Sequence, residues 1–340
     1  MLYEAPWWLP GGNAQTIWAA VGARRGPGTP VSWRREHWDT PDGDFIDVDF
    51  ARDNGPPLNR AEQPLLVVFH GLEGSSASHY AQTFAATAAQ RGWACAVPHF
   101  RGCGGALNRA PRAYHSGDYE EIGWMLQRLR QHHGKGPMLA VGVSLGGNAL
   151  LRWAQEAGGL AALQVRAIAA VSAPLDLAAG AKAIDTGFNR RVYTRMFLST
   201  MKPKALAKLA QHPGLFDGDA LRAARSIHAF DDAFTAPLHG FRDAVDYWSS
   251  CSAGPRMDAL KLPALVLNAL NDPFVPAASL PQVGADGTAG RGESPSKVGA
   301  ATYWRPATGG HVGFPAGAFP PGNVRAMPQA VCDWLEPHLH

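Results

Sequence analysis

The chain has 340 residues, of which 46% are apolar and 17% charged, and its formal net charge is +3. That length buries a core without disulfide or metal staples and suits one large α/β domain carrying an insertion. So small a net charge, with no long block of like charges, argues against a nucleic-acid partner.

Four cysteines, Cys95, Cys103, Cys251 and Cys332, are scattered through the chain, with no CxxC pair and no histidine at metal-ligand spacing. Reduced thiols and no metal are expected, in a cytoplasmic protein. The opening MLYEAPWWLPGG lacks the basic start and apolar run of a signal peptide. No stretch approaches the ~18 consecutive apolar residues of a membrane span.

The first 30 residues, rich in Trp, Gly and Pro, show no period and read as an irregular arm. The tight turn Pro41-Asp42-Gly43-Asp44 leads into a half-buried strand in which Ile46, Val48 and Phe50 alternate with Asp47 and Asp49. From residue 64, short apolar runs alternate with helical segments. Strands are expected at 65–69, 94–98, 138–143 and 167–172, and helices at 78–91, 118–132 and 148–157. This alternation predicts an α/β fold with a mostly parallel sheet flanked by helices. The strand runs lack polar alternation, as strands buried on both faces do.

The rhythm breaks near residue 176. Residues 177–257 are helical in character and read as a cap inserted into a single domain spanning 1–340. Strands resume at 264–269 and 301–305, and a last helix covers 327–335. Between those strands, 284–299 is rich in Gly, Ser and Ala and reads as a flexible surface insertion.

Gly142-Val143-Ser144-Leu145-Gly146 fits G-x-S-x-G between an expected strand and helix. In so tight a turn, a side chain at Gly142 or Gly146 would clash and Ser144 would take a strained backbone conformation. Its hydroxyl would then project at a helix N-terminus, where partial positive charge favours an oxyanion. A serine hydroxyl is a weak nucleophile alone. It needs a base, and the base needs an orienting acid. The chain order for this architecture is serine, acid, histidine. Downstream of Ser144, only His311 follows a strand in a glycine-rich loop, Gly309-Gly310-His311-Val312-Gly313. Asp272, just past strand 264–269, stands where the sites of open α/β sheets gather. Asp176, after strand 167–172, is the alternative acid.

Two N–H donors should face the oxyanion: that of Leu145 and that of Leu72, in the loop His70-Gly71-Leu72-Glu73-Gly74-Ser75. His70 precedes the serine and reads as a residue that holds its loop by hydrogen bonds. Cys103, in Arg101-Gly102-Cys103-Gly104-Gly105, has no Cys-His frame and reads as packing.

These pieces resemble the YheT-like family of α/β-hydrolases. The likeness is carried by the segment Trp8-Leu9-Pro10-Gly11-Gly12-Asn13-Ala14-Gln15-Thr16, the His70–Ser75 loop, the Gly142–Gly146 elbow, Asn271-Asp272-Pro273 and Gly309-Gly310-His311-Val312-Gly313-Phe314. It implies the α/β-hydrolase fold, a triad of Ser144, Asp272 and His311, and cleavage of short- to medium-chain acyl esters or acylglycerols with no cofactor. Two other readings stay open: an alcohol O-acyltransferase using the same acyl-enzyme, and a non-catalytic ligand-binding protein on a hydrolase scaffold.

In 188–208, Arg190, Arg191, Arg195, Lys202, Lys204 and Lys208 alternate with Val192, Tyr193, Met196, Phe197 and Leu198. The expected form is an amphipathic cap helix with a solvated basic face; the sharper reading is a peripheral contact with an anionic membrane surface.

Overall fold

The computed structural model describes residues 3–23, 31–52, 62–282 and 295–339. Its centre is one twisted sheet. In chain order the described strands are β1 (Trp33–Asp39), β2 (Phe45–Ala51), β3 (Leu65–Phe69), β4 (Ala94–Pro98), β5 (Met138–Val143), β6 (Ala167–Val171), β7 (Ala264–Leu267), β8 (Ser296–Val298) and β9 (Ala301–Trp304). In space they run β1-β2-β4-β3-β5-β6-β7-β9-β8. The six strands from β4 to β9 in that spatial order are parallel; β1, β2 and β8 add antiparallel edges.

Period-two geometry divides each central strand between two cores. Leu65, Val67 and Phe69 face one core with Ile122, Met125 and Leu129 of α3 (Tyr119–His133) and Leu150 of α4 (Leu145–Ala157). Leu66 and Val68 face the other, with Tyr80 and Phe84 of α2 (His79–Gln90) and with Val331 and Leu335 of the last helix (Ala326–Leu335). Both faces are therefore covered, which leaves the strand ends as the place where the sites of such sheets gather.

Two expectations need correction. The N-terminal segment is not an irregular arm: Gly11–Val21 form a helix, α1. Its buried residues are Gln15, Thr16 and Ala19, while Ile17 and Val21 point outward. A helix that buries polar groups to hold neighbouring loops carries no apolar stripe to read. The segment 284–299 is not loop throughout, because Ser296–Val298 pairs with β9; residues 283–294 lie outside the described residues.

Between β6 and β7 the chain leaves the sheet for a helical insertion, which includes α5 (Leu177–Ile184), α6 (Arg195–Gln211) and α7 (Ala244–Cys251). Its basic residues are not uniformly solvated. Arg190, Arg191 and Arg195 are exposed, but Lys208 is buried, its Nζ donating to the carbonyls of Asn108 and Ala110 and to Gln211 Oε1 at 2.9–3.0 Å or less. Removing this ammonium strands buried acceptors that anchor the insertion to the body. Lys208→Ala is expected to lower unfolding free energy by about 1–3 kcal/mol in urea titrations. Arg190→Ala should stay within about 0.5 kcal/mol of the parent.

Candidate active site

The site begins at the β5–α4 turn. Ser144 sits between them at φ 53° and ψ −118°, a region that L-residues with a side chain rarely adopt. The surroundings enforce it. A Cβ on Gly142 would stand 2.3 Å from the carbonyl oxygen of Gly146. A Cβ on Gly146 would stand 2.5 Å from that of His70 and 2.7 Å from that of Phe69. The Ser144 N–H donates to the Val171 carbonyl at 2.8 Å, which ties the turn to β6.

His311 brings three stretches of chain together. Its Nε2 lies 2.9 Å from Ser144 Oγ, and its Nδ1 lies 2.9 and 3.1 Å from the two carboxylate oxygens of Asp272. The Asp272 side chain is fully buried, and one of its oxygens also accepts the N–H groups of Phe274 and Val275 at 2.8 and 3.1 Å. A carboxylate is an acceptor, so the imidazole donates from Nδ1 and turns the lone pair of Nε2 toward the serine hydroxyl. Phe274 covers the ring, centroid to centroid 4.4 Å. Asp176, the alternative acid, is exposed and caps α5 through the Ala179 N–H at 3.0 Å; it takes no part in the site.

The His70–Ser75 loop lies against the serine: a Cβ on Gly71 would be 3.2 Å from Ser144 Cβ. Its neighbouring N–H groups are engaged, Gly71 with the Tyr80 hydroxyl and Glu73 with the Tyr114 hydroxyl, each at 2.9 Å. Among the described residues no partner exists for the N–H of Leu72 or of Leu145. Both residues line one cavity with Ser144 and His311. His70 holds the loop as expected: Nδ1 donates to the Gly71 carbonyl at 2.8 Å, and Nε2 accepts the Phe100 N–H at 3.0 Å. Complete burial pushes its pKa down to about 3, so the ring is neutral. Burial pushes the Cys103 thiol up to about 12, which leaves it unreactive at neutral pH.

The cavity measures ≈ 150 Å³. Phe197, Met201, Phe230, Phe234 and Trp248 of the insertion roof it. The lining is mainly apolar, as a site for hydrocarbon requires. Among the described residues no group of three or more His, Cys, Asp or Glu is placed to hold a metal ion.

One polar residue of this lining had no signal in the sequence. Asp231 is buried, with its oxygens accepting from the Thr235 hydroxyl at 2.7 Å and the Trp248 indole at 2.9 Å, and among the described residues no cation pairs with it. The run Phe230-Asp231-Asp232 reads as ordinary solvated helix, and only the tertiary fold turns Asp231 inward. Burial pushes its carboxyl up to about 6. The folded protein therefore holds a proton here, between about pH 4 and 6, that the unfolded chain releases; the associated stability is present at low pH and lost as pH rises through 6. Asp231→Asn carries no charge, and its amide oxygen still accepts from the Trp248 indole while its Nδ2 donates to the Thr235 hydroxyl, reversing that bond; it is expected to raise Tm at pH 8 and to change it little near pH 4, by calorimetry at both values.

The α/β hydrolase fold model matches residues 64–318. The chain is 38% identical over 96% of its length, and 91% of the other's, to YheT of Escherichia coli (strain K12), a protein provisionally named an esterase. It is 28% identical, over 86% of its length and 69% of the other's, to the phospholipase ABHD3 of Homo sapiens. The Pyrococcus furiosus esterase Pf2001 superposes over 93% of this chain and 97% of its own with a TM-score of 0.56 at 14% identity, a likeness of fold alone. The chain belongs to the α/β-hydrolase family and, within it, to the YheT-like branch, whose relatives bear esterase and phospholipase names.

Proposed function

We propose that this protein hydrolyses carboxylic esters of short- to medium-chain acyl groups, or acylglycerols, through an acyl-enzyme on Ser144. The observation that carries the reading is His311, hydrogen-bonded at once to Ser144 Oγ and to the buried Asp272, beneath an apolar cavity.

In this scheme Ser144 Oγ attacks the ester carbonyl while His311 Nε2 takes the hydroxyl proton. Negative charge gathers on the former carbonyl oxygen, which the N–H groups of Leu145 and Leu72 hold; their lack of other partners favours that role. His311 then returns the proton to the departing alcohol, and the acyl group remains on Ser144. A water gives its proton to the same nitrogen, adds to the acyl carbonyl and releases the acid, restoring the serine hydroxyl. Asp272 remains a carboxylate throughout and fixes the imidazole tautomer.

The outer surface of the insertion supports delivery from a lipid phase. Phe188, Val192 and Met196 are exposed at four-residue spacing, beside exposed Arg190, Arg191 and Arg195. Such a face suits an anionic lipid surface. Association with phosphatidylglycerol vesicles should be measurable by sedimentation and weaken as salt rises; binding insensitive to salt contradicts this part of the proposal.

The primary test is labelling by a fluorophosphonate, followed by a p-nitrophenyl ester chain-length series. Wild type should label and turn over. Ser144→Ala should not label, and its kcat should fall by roughly four orders of magnitude or more. Near-wild-type turnover in that variant refutes the scheme. Folded wild type that does not label favours a ligand-binding role instead.

A further inference from the structure

The segment Trp8–Thr16 is as distinctive in the sequence as the elbow, yet the proposed chemistry uses none of its side chains. Its place in the fold gives it a task. The loop that carries His311 is not part of any described strand or helix, and it is contorted: Val312 and Phe314 have φ of 57° and 41°. A backbone of this kind must find partners for its buried N–H groups outside regular structure. Here four consecutive N–H groups each meet a side chain. Gly309 donates to Gln15 Oε1 at 2.9 Å, Gly310 to Asn271 Oδ1 at 3.0 Å, His311 to Thr16 Oγ1 at 2.8 Å and Val312 to Ser172 Oγ at 3.1 Å.

Two of these four acceptors come from α1, almost three hundred residues earlier in the chain. Gln15 is buried, with both ends of its amide hydrogen-bonded. Its Oε1 also accepts from Asn271 Nδ2 at 3.0 Å, and its Nε2 donates to the Leu9 carbonyl at 2.9 Å. One amide thus joins the N-terminal segment, the loop of Asp272 and the loop of His311. The Thr16 hydroxyl gives its proton to the Gly12 carbonyl at 2.7 Å, which turns a lone pair toward the His311 N–H. Contact is close throughout. A Cβ on Gly12 would stand 1.9 Å from the Asn271 carbonyl oxygen, and one on Gly310 would stand 2.7 Å from that of Gly12.

We infer that Gln15 and Thr16 are positioning residues for the base: they clamp the His311 loop to the Asp272 loop so that both imidazole nitrogens meet their partners. The inference rests on the hydrolase reading above. It also accounts for the polar inner face of α1. Imidazole placement within a fraction of an ångström matters, because a displacement of about 1 Å can cost on the order of 100-fold in rate.

The test uses the full chain and p-nitrophenyl butyrate, with rates expressed per active site titrated by fluorophosphonate. Thr16→Ala removes the acceptor, and Thr16→Ser restores it. Thr16→Ala is expected to lose about 10- to 100-fold in kcat with KM within about twofold. Thr16→Ser should recover kcat, which a loss of packing alone would not predict. Gln15→Ala should reproduce the Thr16→Ala pattern, and it carries the test if Thr16→Ala does not fold. Wild-type kcat per titrated site, with only Tm lowered, overturns the inference and leaves α1 as packing. Ser144→Ala, assayed alongside, separates the outcomes: if it retains turnover, the hydrolase reading fails; if it is inactive while Thr16→Ala and Gln15→Ala match wild type, only the positioning role fails.

Discussion

The structure depends on one strained turn. With φ at 53°, Ser144 cannot continue β5 as a strand or begin α4 as a helix, so its side chain is presented at the edge where the sheet ends. The strain holds only because everything near it is close-packed. The Gly142 and Gly146 backbones pass where no side chain fits, the His70 and Phe69 carbonyls press on Gly146, and Val171 of the neighbouring strand accepts the serine N–H. The parallel order β3-β5-β6 exists at this point to bring those three backbones together. A sheet buried on both faces is stiff enough to resist relaxation of the turn.

Around that fixed serine, the remaining groups are held by side chains rather than by regular structure. The His311 loop hangs from Gln15, Asn271, Thr16 and Ser172. The insertion is tied into the same junction. Asn189 donates to the Pro273 carbonyl at 2.7 Å, Tyr193 donates to Asn13 at 2.9 Å, and the Tyr193 ring meets Phe274, which covers His311. On the opposite side of the cavity, Lys204 of α6 pairs with Glu73, next to Leu72, at 2.9 Å. The roof of the pocket therefore touches both the loop of the acid and the loop proposed to bind the oxyanion.

How much of this was legible depended on how local the physical cause is. The parallel strands were legible because burial on both faces writes an unbroken apolar run, as in Leu65–Phe69 and Ala167–Val171. The elbow was legible because its glycines are required by sterics within five residues. His311 and Asp272 could be chosen from chain order and strand ends, and the structure sets His311 against Ser144 and Asp272 against the far side of the same imidazole. Helix α1 was illegible because its buried face is Gln15 and Thr16, polar groups whose partners lie near residues 271 and 309–311. Lys208 and Asp231 failed for the same reason. A charged residue in an ordinary helical run reads as solvated, and only tertiary contacts put one on buried carbonyls and the other beside Trp248.

The measurement that bears most directly on the central claim is a crystal structure of the protein after reaction with a butyl phosphonate ester. Its tetrahedral phosphorus stands in for the carbon of the proposed intermediate. The account predicts phosphorus bonded to Ser144 Oγ, a phosphoryl oxygen about 3 Å from the N–H groups of both Leu72 and Leu145, and the butyl chain in the cavity beneath Phe197 and Phe234. Phosphorus on any other residue, or a phosphoryl oxygen turned away from those two N–H groups, contradicts it.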